Sequence, residues 1–259
     1  MAAIRRLCRG NTNGPLRTFV HDAANGRSEP ILQFFRSAAN VRALLKGEPM
    51  FRIRKNREFE RALRKSLPEG FELPDEIWHL IEWLEDKKQN FRYRNTNSLF
   101  MPTMPVESMD QLWSHLAFVI EPDLVRHWFG KSGLEEFLVP FVKCGADGSH
   151  FAVWKNGEYF EFVFLGSEGE AFKITSRVQE FIVLITMGYF SIEDRNSLAS
   201  TPADNYAEFF DSEWPDPVEI KRHIQSKYGV SYPETGSGVM AIDEDDPFQK
   251  WVEHTLSGL

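Results

Sequence analysis

Three residues with the chemistry of a nucleophile, an acid and a base lie close together in the middle of the chain. Cys144, Asp147 and His150 fall within seven positions, and a thiol, a carboxylate and an imidazole are the groups that a cysteine hydrolase uses. Asp147-Gly148-Ser149 is also the residue set of a tight turn, so the spacing favours a structural loop over a catalytic one. A small hydrolase that uses Cys144 and His150 is therefore the less favoured interpretation.

Other patterns of cofactor and metal chemistry are absent from the sequence. Neither of the phosphate-binding glycine motifs, G-x-x-x-x-G-K-[ST] and G-x-G-x-x-G, occurs in the sequence. Gly166-Ser167-Glu168-Gly169 is predicted to be a plain turn. The 7 His and 2 Cys residues show no metal-ligand spacing. The acidic run Asp243–Asp246 suggests a calcium loop but lacks the glycine at its sixth position. We therefore expect no cofactor, no metal site and no enzymatic activity.

Two acidic segments near the C-terminus are the most distinctive polar features, and the first also carries aromatic residues. Such a surface would attract a basic protein, and aromatic side chains supply much of the binding energy of interfaces. The alternative is a solvated surface whose aromatic residues pack onto the sheet. The predicted partner-binding residues are Phe210, Asp211, Glu213, Trp214, Asp216, Asp243, Glu244, Asp245 and Asp246.

The composition of the chain favours a globular protein over a membrane protein or a disulfide-rich scaffold. The chain has 259 residues, of which 42% are hydrophobic, including 22 Phe and 7 Trp, so it can bury a substantial core. No apolar run approaches the roughly 18 residues of a membrane helix, and 2 Cys exclude a disulfide scaffold. Polar residues follow the N-terminal arginines where a signal peptide would be apolar. We therefore predict a cytoplasmic protein without membrane contact.

Charge is distributed unevenly along the chain. The net charge is −8, yet residues 1–65 carry 15 Lys and Arg against 5 Asp and Glu, whereas residues 66–259 carry 15 against 33. An acidic body repels phosphates, so we expect no direct nucleic-acid binding. It suits a basic protein partner much better.

Periodicity predicts the elements that position these residues. His150–Trp154 and Tyr159–Leu165 alternate as strands around an Asn-Gly turn, and a third strand follows from Ala171. Helical patterns precede and follow them, with starts predicted at Ser176 as a capping box with Gln179, at Asp216-Pro217 and at Asp246-Pro247. The predicted fold class is α+β, with a mainly antiparallel sheet flanked by helices.

Four segments of the chain are predicted. Residues 1–29 form a flexible N-terminal segment, residues 30–72 a helical extension, residues 73–190 the α+β core, and residues 191–259 an acidic helical C-terminal extension. A helix is expected between Ile31 and Leu45, where apolar residues recur at helical spacing. The sequence does not indicate an oligomeric state.

The core resembles the SMI1/KNR4 family of the SUKH superfamily. Leu138–Val142 followed by Gly145–Trp154 is similar to the family's apolar strand, Asp-Gly-Ser turn and next strand. Val163–Glu170 and Val178–Ile185 resemble its following strand, turn and helix, in the same order. His150 departs from the pattern, because the family usually has a second glycine there.

The resemblance, which extends from about Leu73 to Gly188, implies a SUKH-like fold and a binding function. Many bacterial members are immunity proteins that bind and block a cognate polymorphic toxin, often a nuclease, and the family has no catalytic residues to transfer to this chain. Eukaryotic relatives are regulatory scaffolds, and this non-enzymatic alternative stays open. An adjacent toxin or secretion gene would favour immunity, and its absence would favour the scaffold.

Overall fold

Eight antiparallel strands form one sheet in which every strand pairs with its neighbours in the sequence. This computed structural model describes residues 51–52, 57–93, 96–101, 116–240 and 245–257. The strands are β1 (Phe51–Arg52), β2 (Asn90–Tyr93), β3 (Thr96–Phe100), β4 (Ala117–Val119), β5 (Leu138–Lys143), β6 (His150–Asn156), β7 (Tyr159–Leu165) and β8 (Ala171–Thr175).

Helices connect and cover the strands. Within the described residues they are α1 (Glu58–Ser66), α2 (Asp75–Asp86), α3 (Leu124–Phe129), α4 (Val178–Thr186), α5 (Pro202–Ala207), α6 (Val218–Tyr228) and α7 (Pro247–Ser257). One turn of 3-10 helix covers Gly236–Val239. The predicted α+β class with a mainly antiparallel sheet is therefore confirmed.

The two faces of the sheet are buried in separate hydrophobic clusters. Phe162 and Phe164 of β7 belong to the larger cluster, while Val163 and Leu165 belong to the smaller one, as the alternation along this strand predicts. Because both faces are covered by helices, β6 and β7 are apolar on both sides over most of their length. This explains the aromatic content of the centre of the sequence.

The larger cluster lies beneath α1, α2, α4 and α6. The Phe181 ring of α4 stacks on the Phe162 ring with centroids 4.2 Å apart, and α4 also contacts α2 and α6. On the opposite face, Phe248 and Val252 of α7 pack with Trp154 of β6. The segment predicted as a C-terminal extension thus supplies helices to both faces of the core sheet.

The predicted N-terminal divisions fall mostly outside the described residues, including residues 1–29 and the helix expected at Ile31–Leu45. The part of the 30–72 extension that is described contains α1, which packs against α2 and β3. The segment boundaries themselves stay predictions.

One predicted helix cap is confirmed and two are wrong. Asp246 caps α7, since its Oδ1 accepts hydrogen bonds from the amides of Phe248 and Gln249. Asp216 does not cap α6 with its side chain, because its Oδ1 instead accepts a hydrogen bond from Lys221 Nζ at 2.6 Å.

The capping box predicted at Ser176 is also replaced. Thr175 Oγ1 accepts the amide of Arg177 and donates to Glu180 Oε2 at 2.5 Å, so the residue before Ser176 supplies the polar contacts at the start of α4. The predicted turn at residues 166–169 is confirmed by hydrogen bonds from Gly166 N to Glu170 O and from Gly169 N to Gly166 O.

Candidate functional site

The loop between β5 and β6 gathers the three residues that could act as nucleophile, acid and base. The amides of Cys144 and Gly145 both donate to the Ser149 carbonyl, at 2.9 and 3.2 Å, which closes the loop. Asp147 Oδ1 accepts the Ser149 amide at 2.9 Å, and its Oδ2 accepts the hydroxyls of Ser149 and Ser167. Asp147 therefore organises a turn and joins it to the turn that follows β7.

The thiol and the imidazole of this loop have different surroundings. Cys144 is fully buried, and burial together with the nearby Asp147 carboxylate raises the pKa of its thiol well above the usual value. The Nδ1 of His150 donates to the Gly148 carbonyl at 2.6 Å, and its Nε2 lies 3.4 Å from Oε2 of Glu121. Both imidazole nitrogens thus face oxygen atoms, and burial of the thiol favours its protonated form.

The described part of the chain carries neither a cluster of metal ligands nor a membrane-spanning helix. No group of three or more His, Cys, Asp or Glu side chains there is arranged to hold a metal ion. None of the helices described combines the length and the apolar character that crossing a bilayer requires.

The first predicted partner-binding segment is an exposed acidic loop anchored by its aromatic residues. Asp211, Glu213 and Asp216 are exposed. The Phe210 ring packs edge-on against Phe190 with centroids 4.7 Å apart. Trp214 Nε1 donates to the carbonyl of Gly188 at 3.0 Å.

The two aromatic residues of this loop are half-buried, so they fix the loop to the protein as well as lining its surface. This close approach requires a glycine at position 188, because its φ is +100° and a Cβ there would lie 3.0 Å from the Trp214 ring. The carboxylates of the loop are consequently presented on a fixed backbone.

The second predicted segment lies partly outside the described residues, which omit Asp243 and Glu244. Asp245 is exposed and forms an ion pair with Lys250. Asp246 is half-buried, and its Oδ2 accepts the Lys173 amide of β8 at 2.7 Å. Its carboxylate is therefore engaged with the sheet and with α7.

The structure attaches the two acidic segments to opposite faces of the sheet. The 210–216 loop contacts the end of α4 and the start of α6, in the layer of the larger cluster. Asp245 and Asp246 precede α7, whose apolar side packs in the smaller cluster. The two segments therefore belong to different helical layers.

A cluster of carboxylates that the sequence did not indicate lies next to the first segment. Burial and the charges of Asp147, Asp194 and Glu208 raise the pKa of Glu193. Burial and Asp194 likewise raise the pKa of Glu170, which Arg195 partly offsets. These acids come from four separate parts of the chain, so no local spacing could have revealed them.

The carboxylate cluster is tied to the acidic loop through α5. Asn205 accepts the amides of Phe190 and Ser191 and donates to the Ser191 carbonyl at 2.8 Å. Ser191 Oγ then donates to Glu193 at 2.9 Å, while the Tyr206 hydroxyl lies 3.0 Å from that of Ser212. One end of α5 thus holds both acidic features in place.

Comparison of the chain with protein-family models, with curated proteins and with solved structures gave no match.

Proposed function

We propose that this protein is a non-enzymatic immunity protein of the SMI1/KNR4 kind, with a SUKH-like fold. It binds a basic protein toxin in the cytoplasm and covers the toxin's active cleft. A nuclease fits this role best, because a cleft that binds nucleic acid is positively charged. The order of the β5 strand, the Asp147-Gly148-Ser149 turn, the β6–β7 hairpin and α4 supports the family assignment.

The observation that carries this proposal is the crowding of like charges around Glu193. Burial raises the pKa of Glu193 most, and the nearby carboxylates of Asp147, Asp194 and Glu208 raise it further, so several negative charges lie close together there. A partner that brings lysine or arginine to this surface relieves the repulsion. Binding energy of this kind is available only to a cationic partner.

The exposed acidic loop beside the cluster extends the negative surface. Asp211 and Glu213 project from a loop that Phe210 and Trp214 anchor, so little conformational entropy is lost when a partner docks. Long-range attraction between this surface and a basic cleft raises the association rate. The inhibitor can thereby compete with nucleic acid for the cleft.

The experiment that tests the proposal pairs this protein with a toxin encoded beside its gene. Co-expression is expected to protect host cells, and the affinity of the purified pair is expected to fall with added salt. Reversing charge in the double variant Asp211→Lys, Glu213→Lys should weaken binding and slow association. Glu168→Lys, in the exposed turn after β7, is the matched control.

Two outcomes would contradict the proposal. Protection that persists unchanged in the double variant, with an affinity of the purified pair that does not change with salt, would exclude the electrostatic surface. Turnover of a substrate by the purified protein, lost on Cys144→Ala, would instead support the hydrolase interpretation. Absence of any toxin or secretion gene nearby would favour the regulatory scaffold.

A further inference from the structure

A groove opens in the sheet where β4 and β5 separate. The two strands pair at only two positions, Ala117 with Lys143 and Phe118 with Val142. Toward its beginning, β5 pairs with β6 alone, and the register of that ladder shifts between Pro140 and Val142. The strand residues before Phe141 therefore have no strand partner on the β4 side within the described sheet.

Apolar side chains line this groove, which has a volume of ≈ 300 Å³. They come from the end of α1, the end of β4, α3 and the start of β5, and include Leu63, Val119, Ile120, Val125, Leu138 and Val139. Two charged residues line it as well, and both are acidic, Glu121 and Glu135. Among the described lining residues there is no Lys or Arg to balance them.

A buried histidine lies next to one of these carboxylates, that of Glu121. His150 is 1% exposed, and its Nδ1 is engaged by the Gly148 carbonyl. Its Nε2 lies 3.4 Å from Glu121 Oε2 at the groove. Burial raises the pKa of Glu121, but His150 and Lys143 lower it by more than burial raises it. The pKa of Glu121 is therefore below its usual value. Glu121 therefore stays ionised at neutral pH.

We propose that this groove binds a segment of a partner protein in which an aliphatic side chain lies next to a lysine or arginine. The aliphatic side chain fills the apolar part of the groove, and the cation reaches Glu121 and Glu135. The inference goes beyond the proposed function, since it concerns another surface and requires no toxin.

The test uses the full chain and a fluorescein-labelled peptide in which leucine alternates with arginine. The peptide is expected to bind, as measured by fluorescence anisotropy, while peptides that alternate serine with arginine or leucine with glutamate do not. Glu135→Gln should weaken binding about threefold, the size expected for one exposed ion pair. Glu136→Gln, at the exposed neighbouring position, should leave the affinity unchanged.

A second measurement needs no variant. Amide chemical shifts of Val119, Ile120 and Val139 are expected to change on addition of the leucine–arginine peptide. Equal binding of the serine–arginine peptide, or shifts confined to other parts of the sheet, would overturn the proposal. So would a lack of binding, as expected if another part of the chain already fills the groove.

This experiment is independent of the toxin experiment. The variant with Asp211→Lys and Glu213→Lys should bind the peptide as well as the wild type does, because that loop lies at another site. Loss of peptide binding in that variant would show that the peptide binds the acidic loop and would refute the groove as its site.

Discussion

Asp147 shows how a residue with catalytic chemistry can be fully engaged in structure. Its two oxygens hold Ser149 and Ser167, and Ser149 is completely buried. We predict that Asp147→Ala lowers the free energy of unfolding by about 1–3 kcal/mol, the cost of leaving buried donors without an acceptor. Urea denaturation measures this loss.

The matched control for that variant is Glu168→Ala, which removes an exposed carboxylate from the neighbouring turn. Its effect should be within about 0.5 kcal/mol, as is usual for surface substitutions. If both variants lost the same stability, the hydrogen bonds of Asp147 would not be what holds the loop. The Asp147→Ala variant should also lower the pKa of Glu193, since one repelling charge is gone.

At the scale of elements, α1 takes its N-terminal cap from a different helix. Its own N-cap residue, Arg57, has φ 61° and makes no side-chain cap. Glu85 of α2 accepts the Phe59 amide at 2.8 Å instead, while burial raises the pKa of that carboxylate. We predict that Glu85→Ala destabilises the protein by about 1–3 kcal/mol, because the amide loses its acceptor.

Glu85→Gln separates the cap from the charge. Glutamine keeps an acceptor oxygen for Phe59 and avoids burying an ionised group, so its loss of stability should be clearly smaller in thermal unfolding at pH 7. Equal losses in the two variants would mean that packing, and not the hydrogen bond, couples α1 to α2.

Local signals explain which elements the sequence could predict. The Asn156-Gly157 pair and the alternation along β7 predicted the β6–β7 hairpin, but Asn156 is the last residue of β6 and pairs with Tyr159, so the two-residue loop is Gly157-Glu158. Of the predicted Asn-Gly pair, only Gly157 has a positive φ, at 63°. The strands β2 to β4 carry no comparable pattern, because they are short and long connections separate β4 from both of its partner strands. Asp216 shows a different limit, since its carboxylate accepts a hydrogen bond from Lys221 of α6 instead of capping that helix.

The acidic surface of the whole molecule should make its stability depend on pH. Burial and the neighbouring carboxylates of Asp147, Asp194 and Glu208 raise the pKa of Glu193, so the folded state holds that proton more tightly than the unfolded state. This contribution to stability is present below 4.5, the ordinary pKa of a glutamate side chain, and is lost as pH rises through the raised value. Glu193→Gln should therefore be more stable than the wild type at pH 7.

The pH series distinguishes this effect from a general change in packing. The advantage of Glu193→Gln should shrink as pH falls toward 4.5, where the wild-type carboxyl also becomes neutral. Glu121 contributes in the opposite sense, since its lowered pKa means that stability is lost as pH falls through that value. A variant advantage that is constant from about pH 4 to 8 would contradict the electrostatic explanation.

Much of the candidate site depends on the whole fold, which limited its prediction from sequence. The acidic loop was recognisable because its residues are adjacent in the chain. Glu193 and its neighbours come together only because the segment after α4 contacts both α5 and the β5–β6 loop. The groove between β4 and β5 arises because these strands pair at only two positions, which no local residue pattern predicts.

The contact between Asp246 and β8 also bears on how these molecules behave in a crowded solution. β8 is the last strand of the sheet and would otherwise offer free amides to the strand of another molecule. Asp246 already occupies the Lys173 amide, and α7 packs against the same strand. The chain thereby covers part of its own edge strand, which hinders edge-to-edge association into fibrils.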